Sequence, residues 1–505
     1  MGLSITSASR ARSALRRARA NPEVLALAGL LLVGVLLRVY FTIEWRPAIT
    51  GYSDSGIYFQ DAQTGPFADP FRTVGYGMFL SVLHAVTPHL LLVTFAQHVI
   101  GLATGVLLFL IVRRAGGPVW LGLVPAAFLI LNGDQLFLEH AALTETLFTF
   151  LVTLAIYGAV RGSGGAVLWA ALAGVSAGLS VTVREAGLVL VPIFVLWLVF
   201  ANRRPTRRTL IKGGVALAAT LIVLGGYAGW RSADTGLSGL TTNDAWNLYG
   251  RVAPFADCTK FVAPTGTEQL CESTPPETRA NDNAYIFNPT SPAQQMFGPP
   301  YYVSAVPDAM GKLRSWSLAA IRGQPLDYLS AVGDDLVRLI DTNHPSKGDL
   351  SADDFIAFLL GGPDMRSGRN DFVAYWQGRL YPHDHLQRGD MGVLKGYEKT
   401  TRVDGVLMAV LLVLMLASIW IVPGPARSVA RLLVAVATAL LVGPILTKGY
   451  DFRFTVPAIG SLSAAAALGG WGVSAWWRRR SGASTRGLPS TSSREPAAPA
   501  GSGPL

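Results

Sequence analysis

The chain of 505 residues is 50% hydrophobic and only 15% charged, with a formal net charge of +10 at pH 7. Its mean hydropathy of +0.38 excludes an ordinary soluble globular protein, whose composition is more polar. The arginines cluster at the ends of apolar runs, so the positive charge indicates membrane topology and argues against a nucleic-acid-binding surface.

Apolar runs recur along the chain at the length that an α-helix needs to cross the hydrocarbon core. The first run follows a basic N-terminal segment, so the positive-inside rule predicts a cytoplasmic N-terminus and an external loop at residues 44–88. Arginine-rich turns between later runs fall on the side of the N-terminus. The predicted spans, about ten in all, cover residues 24–43, 90–112, 117–132, 141–160, 165–182, 186–201, 210–229, 403–422, 428–447 and 454–477.

These spans predict an all-α polytopic protein of the plasma membrane with both termini in the cytoplasm. A transmembrane module covers residues 24–230, an extracytoplasmic domain of mixed structure covers 231–401, and C-terminal transmembrane helices cover 402–480. They are flanked by a basic N-terminus, residues 1–23, and by a Ser/Pro/Gly-rich tail, residues 481–505, whose composition predicts disorder.

Cys258 and Cys271 are the only cysteines in the chain, and both lie in the predicted extracytoplasmic domain. Two thiols close in sequence within an oxidising compartment usually form a disulfide, and the loop between them is short enough to be favourable. The alternative is a pair of unrelated free thiols. Apolar residues at helical spacing over residues 308–322 and 325–340 predict amphipathic helices of the same domain.

The first external loop concentrates polar residues close to the membrane, chiefly Asp54, Tyr58, Asp61, Asp69 and Arg72. A carboxylate there can take a proton from a hydroxyl, and an arginine can hold a phosphate. The two abilities together suggest a membrane enzyme that acts on a lipid-phosphate substrate.

Five short motifs follow one another along this multi-span chain. They are Gly-Tyr-Ser-Asp54, Arg72-x-x-Gly-Tyr76, LEHAALTETLFTF at 138–150, VTVREAGLVLVP at 181–192 and GYDFRFTVPAIG at 449–460. In this order they resemble the GT-C glycosyltransferases, and within that class the protein O-mannosyltransferase and aminoarabinose-transferase-like group. The resemblance covers most of residues 24–230 and 403–477, while the external domain matches only in position.

The resemblance implies a GT-C-like fold and an enzyme that transfers a sugar from a polyprenyl-phosphate carrier. The acceptor would be an extracytoplasmic hydroxyl on a glycan, lipid or protein, with inversion at the sugar, in cell-envelope glycan or glycoprotein synthesis. Independently of the resemblance, no nucleotide-sugar pool exists outside the membrane, so an activated sugar must arrive on a lipid. Sugar transfer then needs a base near the acceptor and groups that stabilise the departing phosphate.

Asp54 is the predicted base, because it lies a few residues past the first span within the matching motif. The alternative is a solvated carboxylate or an N-cap for a helix at residues 55–60. Asp61 would lie on the same helical face, where it could support Asp54 or face water. Glu145 is a further catalytic candidate, and its alternative is a structural ion pair with Arg184 at the same membrane level. Tyr58, Tyr76 and His140 are predicted to bind substrate, although Glu139 and His140 could equally lie in water.

Basic residues outside the large domain are few on the external side, where the positive-inside rule disfavours them. They are predicted to bind the donor phosphate, since a guanidinium matches two phosphate oxygens. Arg453 is the first choice, because it matches a basic position near the final helix of the family. The others are Arg72, Arg184 and Lys448, and snorkelling toward headgroups is the alternative that suits Lys448 best.

The sequence leaves cofactors unknown. His383 and His385 flank Asp384 and could form a ligand pair, but such a short motif in a polar loop is usually a surface feature. Some GT-C enzymes use a divalent ion and others do not, so the resemblance does not decide whether a metal is bound.

Two other functions remain open. An enzyme of similar architecture could move a whole glycan, as a ligase or polymerase does, and the long external segment late among the spans would suit it. A transporter would not catalyse a covalent step, but it usually shows repeated halves and ionisable groups at mid-membrane depth. Here the ionisable groups gather at one predicted face, and the sequence shows no internal repeat.

Overall fold

The computed structural model describes residues 22–51, 53–201, 204–341, 353, 356–357, 360 and 367–484. The predicted N-terminal segment up to residue 21 and the tail from residue 485 lie outside these residues. The helices in chain order are α1 (Pro22–Glu44), α2 (Ser53–Thr64), α3 (Gly75–Val86), α4 (Leu91–Arg114), α5 (Leu123–Leu131), α6 (Gly133–His140), α7 (Glu145–Gly164), α8 (Val167–Val183), α9 (Leu190–Phe200), α10 (Arg207–Thr235), α11 (Asn243–Val252), α12 (Asp282–Phe287), α13 (Pro292–Phe297), α14 (Ala309–Gly323), α15 (Pro325–Arg338), α16 (Ser367–Leu380), α17 (Gly392–Thr401), α18 (Gly405–Ile421), α19 (Ala426–Thr447) and α20 (Ile459–Ser484).

The chain is a mostly helical, multi-pass membrane protein, as the sequence predicts. Within the described residues, seven helical segments are long and apolar enough to cross a membrane. The predicted span at 117–132 and the polar residues after it form a pair bent by 52°, which would make an eighth crossing. The predicted spans at 165–182 and 186–201 correspond to shorter apolar helices. The seven segments are Pro22–Glu44, Leu91–Arg114, Glu145–Gly164, Arg207–Thr235, Gly392–Ile421, Ala426–Thr447 and Phe452–Arg480.

The bend between α5 and α6 has a local cause. Asn132 is extended, and its side chain accepts the backbone N–H of Gln135, which caps α6. The next residue is Gly133, where a Cβ atom would lie 2.4 Å from Cα of Glu398, so α6 packs closely against α17 only because no side chain intervenes.

Glu139 and His140, at the end of α6, are fully buried, so the alternative that they lie in water is wrong. Arg38 on α1 approaches both carboxylate oxygens of Glu139, with distances of 2.7 and 2.8 Å. His98 on α4 lies 3.1 Å from Glu139 and 3.1 Å from His140. A buried carboxylate is tolerated when it is paired and hydrogen-bonded in this way, and the sequence spacing did not reveal partners on two other helices.

The segment after α10 forms a second hydrophobic core. Trp246, Tyr249 and Trp316 are its largest buried side chains, and Phe71 from the first loop packs into it. Helices α14 and α15 confirm the two predicted amphipathic helices. Cys258 and Cys271 form the predicted disulfide, with Cα atoms 5.9 Å apart.

The first loop is fixed on both sides. Its helix α2 packs between α3 and α16, and Gly56 allows close contact, because a Cβ atom there would lie 2.8 Å from the Phe372 ring. Beside it, the strand Trp45–Arg46 pairs antiparallel with Gln387–Arg388. Residues distant in sequence therefore hold the start of α2, where Asp54 lies, in a defined position.

Candidate active site

A cavity of about 1760 Å³ opens where the first loop, the ends of the helices and the segment after α10 meet. Its lining includes residues of α2, of the turn between α8 and α9, of the end of α19, and of α11 and α12. We call it the site cavity. Asp54, Tyr58, Arg72, Arg184, Lys448 and Arg453, all predicted as site residues, line it.

Asp54 lies in the first turn of α2 and is buried. One carboxylate oxygen accepts from Nη2 of Arg72 at 2.6 Å, and the other accepts from Nη1 of Arg453 at 3.0 Å. Burial by itself raises the pKa of Asp54, but the two guanidinium groups outweigh it and hold the pKa well below its usual range. Both oxygens are thus engaged by arginines, and the contacts of Asp54 are those of an ion-paired carboxylate.

Arg72 is held in place by the loop that carries it. Its Nη1 donates to Asp69 at 3.0 Å, and Asp69 also accepts the backbone N–H of Phe71. The guanidinium lies 5.2 Å from the centre of the Phe71 ring and 5.5 Å from that of Tyr301. The cation–π contact with Tyr301 joins the first loop to the segment after α10.

Arg453 connects Asp54 to a second carboxylate. It belongs to a 3₁₀ turn, Phe452–Phe454, that Asp451 caps by accepting the backbone N–H of Arg453. Its Nη1 lies 3.0 Å from Asp54 and 3.7 Å from Glu145. The predicted pairing of Arg184 with Glu145 is present at 2.5 Å.

These contacts form a chain of alternating charges, Arg72–Asp54–Arg453–Glu145–Arg184, which we call the ion-pair chain. Arg184 also donates to the hydroxyl of Thr144 at 2.8 Å. The ion-pair chain combines residues from distant parts of the sequence. They come from the first loop, from the start of α7, from the turn after α8 and from the approach to α20. Opposite charges at these distances offset the cost of burying each partner.

Lys448 differs from the three arginines. It lines the site cavity, with Nζ 4.9 Å from the centre of the Phe454 ring, and does not extend away from the site as snorkelling would require. In the described part of the chain, no carboxylate lies within salt-bridge distance of its ammonium. Burial, reinforced by the Arg453 charge, lowers the pKa of Lys448. An anion that entered the cavity would stabilise the positive charge of Lys448.

Four predicted site residues lie outside the lining of the site cavity. One is Glu145, which takes part in the ion-pair chain without lining the cavity. Asp61 is only 3% exposed, so it does not face water, and burial raises its pKa. Tyr76 is buried and donates to Gln97 at 2.8 Å. His140 lies beside His98 in the buried network around Glu139. The sequence placed these residues in or near the motifs, but it did not show which way each of their helices faces.

Asp384, the central residue of the short His–Asp–His motif, makes contacts that hold the structure together. Asp384 accepts the backbone N–H of Leu90 at 2.5 Å and lies 3.1 Å from His89, next to the start of α4. Among the described residues, no group of three or more His, Cys, Asp or Glu side chains is placed to hold a metal ion.

Sequence reasoning missed several residues of the site. Asp69 and Asp451 hold Arg72 and Arg453, and each precedes its arginine by two or three residues, which was a usable signal. Thr144 immediately precedes Glu145 in a recognised motif. For the part of the cavity lined by α11 and α12, the only signal in the sequence was compositional. Asparagines recur there between residues 243 and 288.

Comparison with known proteins supports the resemblance predicted from the sequence. Residues 87–228 match the profile of the dolichyl-phosphate-mannose-protein mannosyltransferase family, a GT-C family. The matched region runs from just before α4 into α10 and contains Glu145 and Arg184. No curated protein sequence matches this one significantly.

Two solved structures of an archaeal oligosaccharyltransferase from Archaeoglobus fulgidus are similar to this chain. The apo form is 13% identical, with a TM-score of 0.46, and the alignment covers 91% of this chain and 52% of that one. The complex of AglB with an inhibitory peptide and a dolichol-phosphate is 11% identical, with a TM-score of 0.44 and coverages of 94% and 52%. The chain thus spans about half the length of these structures.

Proposed function

We propose that this chain is a GT-C-type membrane glycosyltransferase that moves a sugar from a polyprenyl-phosphate carrier to an acceptor hydroxyl. One observation carries the proposal: Asp54 lies between Arg72 and Arg453 in a large cavity that is also lined by Lys448, whose ammonium has no carboxylate partner among the described residues. A base and an anion-binding group are thus present in one site, as this reaction requires.

The donor fits the apolar part of the site cavity. Leu188 and Val189, 50% and 44% exposed, lie in the turn before α9, and Leu440 and Gly443 of α19 line the same cavity. Both elements belong to apolar helices, so an isoprenoid chain could enter from the hydrocarbon core. Its phosphate would then reach Lys448 and Arg453 beyond the end of α19.

In the proposed reaction the acceptor oxygen attacks the anomeric carbon of the bound sugar. The bond from that carbon to the phosphate oxygen breaks, and the phosphate leaves with the electron pair. Asp54 takes the proton of the acceptor hydroxyl, and Arg453 and Lys448 stabilise the departing phosphate. A single displacement of this kind inverts the configuration at the sugar.

The paired arginines make Asp54 a weak base in the empty site, because each guanidinium stabilises the ionised form. Donor binding offers Arg453 a further anion, the phosphate, beside the carboxylates that it already contacts. As Arg453 turns toward the phosphate, Asp54 loses part of that stabilisation and becomes more basic. The base is thus strengthened when the donor is in place, which limits unproductive proton uptake.

The orientation proposed here keeps both termini in the cytoplasm and opens the site cavity outside the plasma membrane. The basic residues at the cytoplasmic ends of the predicted spans support it. In this arrangement residues 231–401 form an extracytoplasmic domain between the transmembrane module, 24–230, and the C-terminal helices, 402–480.

The test is sugar transfer by the purified full-length protein from radiolabelled lipid-linked sugar of the host membranes. Asp54→Asn keeps size and polarity but removes the proton acceptor, so we expect turnover to fall by about a hundredfold or more. Asp234→Asn, at an exposed position of α10 outside the cavity lining, is the matched control and should keep wild-type turnover. Wild-type turnover by Asp54→Asn would exclude Asp54 as the base.

The size of the cavity favours one other candidate, the transfer of a whole glycan by a ligase or polymerase. A volume of about 1760 Å³ exceeds what a single sugar phosphate needs. The mass of the unit added in the same assay distinguishes the two: one sugar residue supports the proposed function, and an oligosaccharide supports the ligase.

A further inference from the structure

Asparagines line the part of the site cavity that is built by α11, α12 and their flanking loops. We call Asn243, Asn247, Asn281, Asn283 and Asn288 the asparagine wall. None of the ion pairs in the ion-pair chain involves these asparagines. Their number and shared chemistry point to a ligand with many neutral polar groups.

Each amide offers both a donor and an acceptor, as each hydroxyl does. A binding site for an anionic acceptor would instead present cations that are not already paired with carboxylates. The arginine beside the wall, Arg314, is already neutralised, since it pairs with Asp244 through two bonds of 2.9 and 3.0 Å. Glu185 adds a further acidic group to the lining. The wall is therefore suited to a neutral, hydroxyl-rich molecule.

Two of the five amides have hydrogen-bonding capacity to spare. The side-chain oxygen of Asn247 is buried and accepts no hydrogen bond from a described residue. The half-buried side chain of Asn283 likewise makes no hydrogen bond with the described residues, since only its backbone N–H is engaged. In contrast, Asn281 caps α12 and Asn288 accepts from Thr290. A buried unsatisfied oxygen is costly, and a ligand hydroxyl would satisfy it.

Aromatic rings lie between this wall and the ion-pair chain. Phe287 and Tyr301 both line the cavity and stack with their planes 11° apart and their centres 5.9 Å apart. Tyr301 also contacts the guanidinium of Arg72, which binds Asp54. An apolar ring face beside polar amides matches a sugar ring, whose C–H face is apolar and whose edge carries hydroxyls.

We infer that the acceptor is a carbohydrate, so that the sugar is added to a hydroxyl of a glycan and not to a serine or threonine of a protein. Asn247 and Asn283 hydrogen-bond its hydroxyls, and Tyr301 packs against a ring. The neighbouring hydroxyl is then presented to Asp54. This inference rests on the proposed function, because it names the acceptor of the same site.

The first experiment identifies the product. Membranes that contain the full-length protein receive radiolabelled lipid-linked sugar, and the labelled macromolecule is treated with proteinase K or with periodate. We expect label that resists the protease and is released after periodate cleavage. Label made soluble by the protease overturns the inference while leaving the proposed function intact, whereas a failure of any label to leave the lipid contradicts the proposed function itself.

The second experiment measures acceptor binding without turnover. Neutral oligosaccharides of about three to six sugars, released from the host envelope, are added to purified Asp54→Asn protein and followed by saturation-transfer NMR. Asn247→Ala together with Asn283→Ala should weaken their binding at least about tenfold, the effect of losing two hydrogen bonds.

Gln295→Ala removes an exposed amide of the same segment outside the cavity lining and is the matched control. Donor binding checks that each variant is folded, and Asn283→Ala alone avoids the more buried position. Equal oligosaccharide binding by all variants, or binding of a Ser/Thr-rich peptide in place of the oligosaccharides, overturns the inference.

Discussion

At the scale of single residues, the charge state of Asp54 controls the proposed reaction. Arg72 and Arg453 each bind one of its oxygens, so its pKa lies below the usual range for an aspartate. A carboxylate whose pKa is lowered stays ionised to lower pH. In the free enzyme Asp54 should therefore stay ionised across the neutral and mildly acidic range.

A comparison of two pH profiles tests this. The acid limb of kcat/KM for the donor reports Asp54 in the free enzyme and should lie below about pH 4, the ordinary value for aspartate. The acid limb of kcat reports the complex, in which the phosphate engages Arg453, so it should lie at higher pH. Coinciding limbs would contradict the idea that donor binding strengthens the base.

Lys448 and Arg453 should contribute differently to donor binding. Lys448 lacks a carboxylate partner among the described residues, so Lys448→Ala should weaken binding of a polyprenyl phosphate by about tenfold or more. The acid limb of kcat/KM should move upward only slightly, because Lys448 contributes less than the arginines to the lowering of the Asp54 pKa. Arg453→Ala should also weaken binding, and in addition it should shift that limb upward, because Asp54 loses one of its two arginines.

Ligand-induced quenching of tryptophan fluorescence gives both affinities in detergent. Lys395→Ala, at an exposed position of α17, is the control for loss of one positive charge. Unchanged donor affinity in both cavity variants would move the phosphate site to Arg72 or Arg184.

At the scale of elements, buried polar contacts fix how the helices meet. Helices α1, α4 and α6 are joined by Arg38, His98 and Glu139, all three of them buried. The ion-pair chain does the same for the turns around the site cavity. Such contacts specify one arrangement of helices, since any other would leave a charge unpaired in an apolar interior.

Removal of one partner should therefore be costly. Arg38→Ala leaves Glu139 buried without its main partner, and we expect a loss of about 3–5 kcal/mol of folding stability. Thermal denaturation of the purified protein in detergent measures the change. The double variant Arg38→Met with Glu139→Gln should lose less, because it leaves no uncompensated charge. Equal losses of folding stability in the two variants would show that side-chain packing, and not the unpaired charge, determines the stability of this site.

At the scale of the whole molecule, orientation in the membrane decides which lipid-linked sugars can reach the site. A single cysteine in place of Val262, which is 90% exposed, introduced in a background in which Cys258 and Cys271 are serines, reports the location of the segment after α10. We expect labelling of intact cells by a membrane-impermeant maleimide. A cysteine in place of Ser481, near the end of α20, is the inward-facing control and should react only after permeabilisation. Labelling of the Ser481 site alone in intact cells would reverse the proposed orientation.

The sequence by itself determined the features that depend on local composition. The lengths of the apolar runs predicted membrane-spanning helices, and the helical spacing of apolar residues predicted α14 and α15. The position of Cys258 and Cys271 in one segment predicted their disulfide. The order of motifs gave the resemblance to GT-C enzymes. The four predicted phosphate-binding cations all line one cavity. The positive-inside rule singled them out in the sequence, because it disfavours basic residues on the predicted external side.

Only the tertiary structure decided which polar residues meet. Asp61 shares α2 with Asp54 and His140 lies in one of the recognised motifs, yet Asp61 is buried against α3 and His140 belongs to a network with α1 and α4. Asp54 and Arg453, 399 positions apart, pair because α2 and the approach to α20 converge. The asparagine wall likewise forms only when α11 and α12 fold over the first loop. Helical periodicity gives the faces of each helix, whereas the partner of each face depends on long-range packing.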